Sequence, residues 1–439
     1  MGIKNFRTNL TELFPDIVNY KKPYDVKYLC IDANGILHTI INKTNDTNIF
    51  KKLLIKKLNK LIKINKPELI AIFIDGQANL AKANTQIKRR DKYLYNKCSG
   101  INPLNLTPGT PFMDFVDEIL IEYLNNLEIK HYYSSSKENN EGEIKLFNWL
   151  IKQKDNKVVI VGNDSDLIIL ALSTIPLLDI YIYNEKNYLS LFKLVENLSK
   201  LVSLKFNFKY HPIRLDFVLL SFFQGNDYLS KVANFDDLLL AYKKFLKKEK
   251  GFLVSKKGNL NLSNIKILLS KIKIKNKEVY QEEDVKEYFN AITWNYNLYK
   301  GKLNNRFIPK YNQINLNTII KYFPKNLNLF NQDINWLNKN AYLLLLMPIT
   351  GKQYLPENLK HYMDDDSPIK DLFPEPCLKC IEFKEKISKL EKPNNDSSEL
   401  EILKFKEITN QLNNEYSQHI KLFHPILELP IERLEELFT

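Results

Sequence analysis

The sequence predicts an α/β fold, a mainly parallel central sheet flanked by helices, followed by a second and mostly helical region. Three observations carry this expectation. Short β-branched apolar runs recur at Val26–Ile31, Leu69–Ile74, Lys157–Val161 and Leu178–Tyr183. Stretches of helical periodicity separate most of these runs, the alternation that builds parallel strands joined by crossover helices. Beyond about Leu240 the strand signal fades and helical patterning takes over.

In chain order, Asn45-Asp46-Thr47 supplies capping groups for a helix over Thr47–Asn65, where Ile and Leu repeat at helical spacing against Lys. Asn79–Lys97 reads as a basic helix. Thr107-Pro108-Gly109-Thr110 is loop chemistry leading into the amphipathic stretch Phe112–Leu127, and Glu141–Lys152 and the apolar Asp216–Phe223 read as further helices. The run Lys243–Lys250 with Gly251, then Lys256-Lys257-Gly258, marks a basic connection into the second region. That region passes through the aromatic stretch Tyr288–Tyr299 to Pro374. Ile381–Tyr416 is charged and helix-prone, broken by the turn-like Pro393–Ser398, the pattern of an αα-hairpin. The expected division is therefore an α/β core over 1–240, a helical region over 241–376 and a charged helical tail over 377–439.

With 439 residues and a formal net charge of +13, the chain is large enough for more than one core and basic enough to favour a polyanionic partner. Nucleic acid stands ahead of an acidic membrane surface, although a composition rich in Lys, Asn and Ile also follows from AT-biased coding. Cys30, Cys98, Cys377 and Cys380 are too few and scattered for a secreted disulfide framework, which implies a reducing compartment. The N-terminus has no signal-peptide core, and no stretch reaches bilayer-spanning length. Met1-Gly2 opens like a myristoylation site, but Phe6 stands where Ser or Thr is required. The expectation is a monomeric protein of the cytoplasm with no membrane partner. Cys377-Leu378-Lys379-Cys380 is a lone pair without a second pair, and reads as two ordinary thiols ahead of a zinc site.

Acidic residues fall where such a fold concentrates chemistry. Asp32 closes the first strand, Asp75 the second, and Asp164 and Asp166 follow the third. In an open parallel sheet these groups converge in the crevice at the carboxyl edge. Glu141 and Glu143 begin a helix, and Asp227 lies in Gly225-Asn226-Asp227-Tyr228, so seven carboxylates can meet. Taken singly, an Asp after a strand is more often a cap or turn residue; recurrence at three strand ends weakens that reading. Two like charges about 4 Å apart repel by roughly 4 kcal/mol at an effective dielectric near 20, so the cluster calls for cations. All-oxygen ligands suit Mg²⁺ or Mn²⁺ over Zn²⁺, and a two-ion site serves hydrolytic phosphoryl transfer by activating water and stabilising a leaving oxygen.

Directly after Asp75, Lys82, Gln86, Arg89 and Arg90 are spaced i, i+4, i+7 and i+8, which places them on one face of a helix. Guanidinium forks match phosphate oxygens and Lys adds a point charge. In isolation such a face is as often merely solvated; its position beside Asp75 favours a pocket for a terminal phosphate, with Lys88 and Lys92 extending the basic character.

In order and spacing these residues resemble the XRN family of 5′→3′ exoribonucleases. The likeness runs through Met1-Gly2-Ile3, Phe6-Arg7 and Phe14-Pro15, then Asp32-Ala33-Asn34-Gly35-Ile36-Leu37-His38, then Asp75-Gly76 with Ala81-Lys82, Asn84, Gln86 and Arg89-Arg90. It continues through Thr107-Pro108-Gly109-Thr110-Pro111-Phe112-Met113, Glu141-Gly142-Glu143 with Lys145, Asp164-Ser165-Asp166-Leu167-Ile168 and Gly225-Asn226-Asp227. Gly258–Leu262, Trp294, Tyr296, Tyr299, Leu346-Met347-Pro348, Leu355-Pro356 and the Met363–Pro374 stretch resemble the family's second region. The resemblance implies a PIN/flap-nuclease-like core and a processive exoribonuclease that takes single-stranded RNA with a 5′-monophosphate and releases nucleoside 5′-monophosphates. It further implies that Asp32, Asp75, Glu141, Glu143, Asp164, Asp166 and Asp227 carry the ions, with Lys82, Gln86, Arg89 and Arg90 on the 5′-phosphate and His38 against the terminal nucleotide.

The chain departs from the family pattern at three places. Lys302–Lys310 contains no Trp, which leaves Phe307 as the residue for the outgoing base; Asn139-Asn140 replaces Pro-Gly before the glutamate pair; and the long C-terminal extensions of the large relatives are absent. Two rivals remain. A flap-endonuclease-like DNA nuclease shares an acidic α/β core but is disfavoured by the second region, and a catalytically inactive RNA-binding protein is disfavoured by the intact acidic set.

Overall fold

The computed structural model describes residues 3, 6–94, 100–153, 157–174, 179–201, 213–249, 251–255, 258–273, 278–311, 313–327, 331–390, 393, 398–423 and 428–439. Met1, Gly2, Cys98 and most of the turn-like 393–398 stretch lie outside them. The chain divides into two compact units, each discontinuous in sequence: 1–83 with 113–336, and 84–112 with 337–439. No helix among the described residues is long and apolar enough to cross a membrane.

The first unit is built on a seven-stranded sheet: β1 (Val18–Asn19), β2 (Tyr28–Asp32), β3 (Leu69–Phe73), β4 (Lys130–Ser134), β5 (Lys157–Val161), β6 (Asp179–Tyr183) and β7 (Tyr188–Ser190). The spatial order is β1-β7-β6-β5-β2-β3-β4. Strands β6, β5, β2, β3 and β4 are mutually parallel, whereas β7 runs antiparallel to β6 and β1 antiparallel to β7. The mainly parallel α/β class expected from the sequence is what the chain adopts. Leu29, Cys30 and Ile31 of β2 and Val158, Val159 and Ile160 of β5 are fully buried, as strands covered on both faces require.

The helix over Thr47–Asn65 forms at its expected bounds because both ends are chemically defined. Asp46 accepts from the Asn48 and Ile49 N–H groups at 2.7 and 3.0 Å, and Lys66 closes the helix with a left-handed φ of 48°. Helices Asp166–Ser173 and Ile213–Phe222 are buried at every position. Buried Asp216 is satisfied by the Tyr242 hydroxyl at 2.7 Å and by the Leu253 and Val254 N–H groups at 3.0 and 2.8 Å, which ties the post-Leu240 segment to this helix.

The basic segment differs from the continuous helix expected over Asn79–Lys97. Leu80–Lys82 is a 3₁₀ turn, Ala83–Arg90 is α-helical and Asp91–Leu94 is again 3₁₀. With three residues per 3₁₀ turn instead of 3.6, Lys82 does not keep the angular register with Gln86, Arg89 and Arg90 that a continuous α-helix gives. Lys82 also belongs to the first unit, and the other three to the second.

The second unit contains helix Lys339–Leu346, a series of 3₁₀ turns over Ile349–Leu372, and helices Leu378–Ser388, Glu399–Phe423 and Ile431–Glu436. Arg433 grips Asp371 through both guanidinium nitrogens at 2.7 and 2.8 Å, fixing the last helix to the turn before Pro374.

Candidate active site

The sheet winds from β2 to β3 to β4 in one direction, then the chain returns to β5 and β6 on the other side of β2. The switch therefore lies between β2 and β5, the place where an open α/β sheet leaves a crevice at its carboxyl edge. Asp32 is the last residue of β2, and Asp164 and Asp166 follow β5 across that switch. Asp75 lies two residues beyond β3, and Glu141 and Glu143 stand where β4 has turned into helix Gly142–Leu150.

Backbone contacts aim the first two acids. The Asp75 N–H donates to Asn34 Oδ1 at 3.0 Å, and the Gly142 N–H donates to Asp75 Oδ1 at 2.7 Å. A side chain at position 142 would put its Cβ 3.2 Å from both Asp32 Oδ1 and Asp75 Oδ1. The two carboxylates thus converge on the N-terminus of the helix, whose unpaired N–H groups favour negative charge, and glycine keeps that approach open.

Segment 135–141 delivers Glu141. Buried Asp117 accepts from the Ser136 N–H at 3.1 Å, the Ser136 hydroxyl at 2.7 Å and the Tyr133 hydroxyl. The Lys145 ammonium donates to the Ser135 carbonyl at 2.8 Å and the Glu138 carbonyl at 3.3 Å. Gly76 N–H donates to the Asn140 carbonyl at 2.9 Å and Asn140 N–H to the Gln77 carbonyl at 2.8 Å, so the segment lies directly on the chain leaving β3. Asn140 adopts φ 86°, the left-handed geometry that glycine takes freely and asparagine tolerates. Asn140 thus holds a backbone geometry that a glycine at this position would also adopt.

Glu141 is buried and both of its oxygens are engaged: Oε1 by the Lys82 ammonium and Oε2 by the Tyr228 hydroxyl at 2.9 Å. Lys82 also reaches Asp227 Oδ2 at 3.3 Å and lies 5.7 Å from the centroid of the Tyr228 ring. The Asp227 turn is held by Asn226, whose Oδ1 accepts from the Tyr228 and Leu229 N–H groups at 2.9 Å each and whose amide donates to Asn295 Oδ1 at 2.8 Å. Gly225 at φ 81° starts this turn where a Cβ would sit 2.8 Å from the Lys231 nitrogen.

The electrostatics follow from burial. Burial, then the charges of Asp75 and Asp164, push the Asp32 carboxyl up to about 8. Burial, then Asp164, push Asp166 up to about 7. Burial holds Glu143 well above the usual carboxylate range, with Lys82 opposing and Asp166, Glu141 and Asp164 adding to the rise. Lys82 is pulled down by burial, but Glu141, Tyr228, Glu143 and Asp227 outweigh it and keep the ammonium charged. Lys82, and Lys145 beside Asp75, do not balance seven carboxylates, which leaves a surplus of negative charge. Asp166 Oδ1 is buried without a hydrogen-bond partner, as befits an oxygen reserved for a ligand outside the chain. The all-oxygen donor set fits hard divalent cations.

All seven predicted acids and Lys82 belong to the first unit. His38 is exposed on helix Asn34–Ile41. Phe307 stacks on Trp294 with ring centroids 5.2 Å apart and planes 18° from parallel, and Trp294 meets Tyr228 edge-on at 5.0 Å. In the second unit, the Tyr342 hydroxyl donates to Gln86 Oε1 at 2.8 Å, and Arg90 Nε donates to Thr107 Oγ1 at 2.9 Å. Arg89 lies between these two on helix Ala83–Arg90. Sequence reasoning missed Asn34, Asp117 and Tyr228, which orient the acids and do not belong to the acidic set; only the proximity of Asn34 to Asp32 and of Tyr228 to Asp227 hints at them.

The profile of the XRN 5′-3′ exonuclease N-terminus matches residues 1–185, and that of the Xrn1 helical domain matches residues 207–310. The chain belongs to the XRN family of 5′→3′ exoribonucleases. The first matched stretch contains Asp32, Asp75, Lys82, Gln86, Arg89, Arg90, Glu141, Glu143, Asp164 and Asp166; the second contains Asp227, Trp294 and Phe307. The 5′-3′ exoribonuclease 1 of Schizosaccharomyces pombe is 25% identical over 356 residues, covering 64% of this chain and 27% of its own length. That of Saccharomyces cerevisiae is 25% identical over 363 residues, covering 66% of this chain and 24% of its own. The XRN chain described here thus spans about a quarter of the length of these curated relatives. Among solved structures, the catalytic core of Rad2 in complex with DNA substrate aligns at a TM-score of 0.39 and 15% identity, over 73% of this chain and 92% of that one.

Proposed function

We propose that this chain is a divalent-metal-dependent, processive 5′→3′ exoribonuclease that shortens single-stranded RNA bearing a 5′-monophosphate and releases nucleoside 5′-monophosphates. The observation that carries the proposal is the convergence of carboxylates at the carboxyl edge of the sheet, with the buried Lys82 ammonium paired to Glu141 and Asp227. Asp32, Asp75, Glu141, Glu143, Asp164, Asp166 and Asp227 are the residues that would hold Mg²⁺ or Mn²⁺. Two such ions, when bound, offset the acidic charge and supply electrostatic stabilisation to the phosphodiester under attack.

The chain's own groups do the rest. Asn34 and the Gly142 N–H hold Asp75 in place, Tyr228 and Lys82 fix Glu141, and Lys82 keeps a positive charge beside Asp227. Gln86, Arg89 and Arg90 supply the amide and guanidinium donors for the 5′-phosphate. His38 is exposed for contact with the terminal nucleotide, and Phe307, braced on one face by Trp294, is the ring for the outgoing base.

The test offers 5′-monophosphate, 5′-triphosphate and 5′-hydroxyl RNA, and DNA of the same sequence, to the protein with Mg²⁺. The reading requires mononucleotide release from the 5′-monophosphate RNA, and far slower loss of the other three. Equal degradation of all RNA ends removes the phosphate assignment, preferential cleavage of branched DNA supports the flap-endonuclease alternative, and RNA bound without product would make the chain a binding protein.

A further inference from the structure

Two helices of the second unit, Leu378–Ser388 and Glu399–Phe423, pack against each other. In the longer helix Leu400 is 62% exposed, Leu403 60% and Leu422 74%, and His419 is the one buried residue among its described side chains. Ile402, Phe405, Leu412, Tyr416 and Ile420 make the half-buried face of this helix, and the buried histidine beside them needs polar partners. It is buried against the start of the other helix, where Cys377 is the N-cap and Cys380 lies in the first turn, 1% exposed.

The Cys377 sulfur is 3.4 Å from His419 Nε2, and the ligand atoms of Cys377, Cys380 and His419 all lie within 4.8 Å of one another. Zinc–sulfur bonds of about 2.3 Å and zinc–nitrogen bonds of about 2.0 Å at the tetrahedral angle set S···N edges of roughly 3.5 Å and S···S edges of roughly 3.8 Å. The Cys377–His419 separation matches the S···N edge, and the 4.8 Å bound on the other separations leaves room for the rest of the site. Two thiols at a helix N-terminus are also where the helix field favours the thiolate form that binds metal. Phe383 packs its ring 6.0 Å from His419 and 5.8 Å from Tyr416, which fixes the imidazole on the longer helix. The sequence alone gave the lone Cys pair no partner, because the histidine comes from a separate helix.

We propose that Cys377, Cys380 and His419 bind a structural Zn²⁺ ion that staples helices Leu378–Ser388 and Glu399–Phe423 together. This site is separate in chemistry from the acidic cluster: soft sulfur and nitrogen donors select Zn²⁺ over Mg²⁺. Burial of the metal-binding free energy in the folded state makes the ion part of the folding of this hairpin.

The full chain, purified under reducing conditions without chelator, is expected to carry one zinc per molecule by elemental mass spectrometry. Cobalt substitution is expected to give a near-ultraviolet thiolate-to-cobalt charge-transfer band with tetrahedral visible bands. Cys377→Ser, a part-exposed and near-isosteric change, is expected to lose the stoichiometric zinc and the sulfur band, while Asp75→Ala keeps both. Zinc-free protein with two freely titrating thiols, a Cys377–Cys380 disulfide by mass spectrometry, or a Cys377→Ser variant that retains its zinc would each overturn the proposal. These readouts do not depend on RNA hydrolysis, so failure of the nuclease assignment leaves them intact.

Discussion

Asp166→Asn offers the sharpest thermodynamic test of the acidic cluster. Asp166 is 2% exposed, and its carboxyl is raised from the ordinary 3.8 to about 7 by burial and by Asp164. At roughly 1.4 kcal/mol per tenfold change in proton affinity, ionising it in the folded, metal-free protein costs about 4 kcal/mol. Because the folded pKa is raised, the stability linked to protonated Asp166 is fully present below about pH 4 and lost as the pH climbs to about 7. An amide of the same shape never ionises. With chelator at pH 8, Asp166→Asn should therefore melt about 4–6 °C above the parent, and the two should converge near pH 4. Saturating Mg²⁺ should reverse the order, since ligand binding to the folded state stabilises only the protein that retains the donor. The assay is differential scanning calorimetry across pH with and without Mg²⁺. A variant less stable than the parent at pH 8 in chelator, or a difference that does not change with pH, would refute the electrostatic reasoning.

Other consequences follow from single contacts. Lys82→Met removes the buried cation between Glu141 and Asp227, and urea denaturation should show a loss of about 3–5 kcal/mol together with loss of RNA hydrolysis. Gly76→Ala would place a Cβ 1.8 Å from the Glu138 carbonyl oxygen, so segment 135–141 must shift; a displacement near 1 Å should cost roughly a hundredfold in hydrolysis, read in single-turnover assays. Asn140→Gly relieves the left-handed φ of 86° and should raise stability by up to about 1 kcal/mol in thermal melts with hydrolysis retained, whereas Asn140→Val should lower both.

What the sequence disclosed, and what it withheld, has a physical pattern. Strands β2, β3 and β5 were legible because their apolar runs are covered on both faces, and β6 because its Ile180 and Ile182 are buried. Strand β4 was not: Lys130 and His131 are exposed at the edge of the sheet, and the pairing with β3 comes from hydrogen bonds that leave no apolar signature. The two- and three-residue strands β1 and β7 are too short to show any period. Acids at strand ends are visible because strand polarity fixes where they converge. The groups that aim them are less so, since Asp117 contacts Ser136 and Tyr133 through a fold of the chain that no local spacing encodes. Composition likewise does not separate 3₁₀ from α turns over residues 80–94, nor does it show that residues 84–112 pack with the C-terminal region.

The central claim, that these carboxylates are a divalent-cation site, is most directly tested by counting Mn²⁺ bound to the full chain by electron paramagnetic resonance. The account predicts two ions on the parent protein and loss of at least one in Asp75→Ala, with competition by Mg²⁺. A parent protein that binds no Mn²⁺, or an Asp75→Ala variant that binds it in undiminished number and affinity, would contradict it.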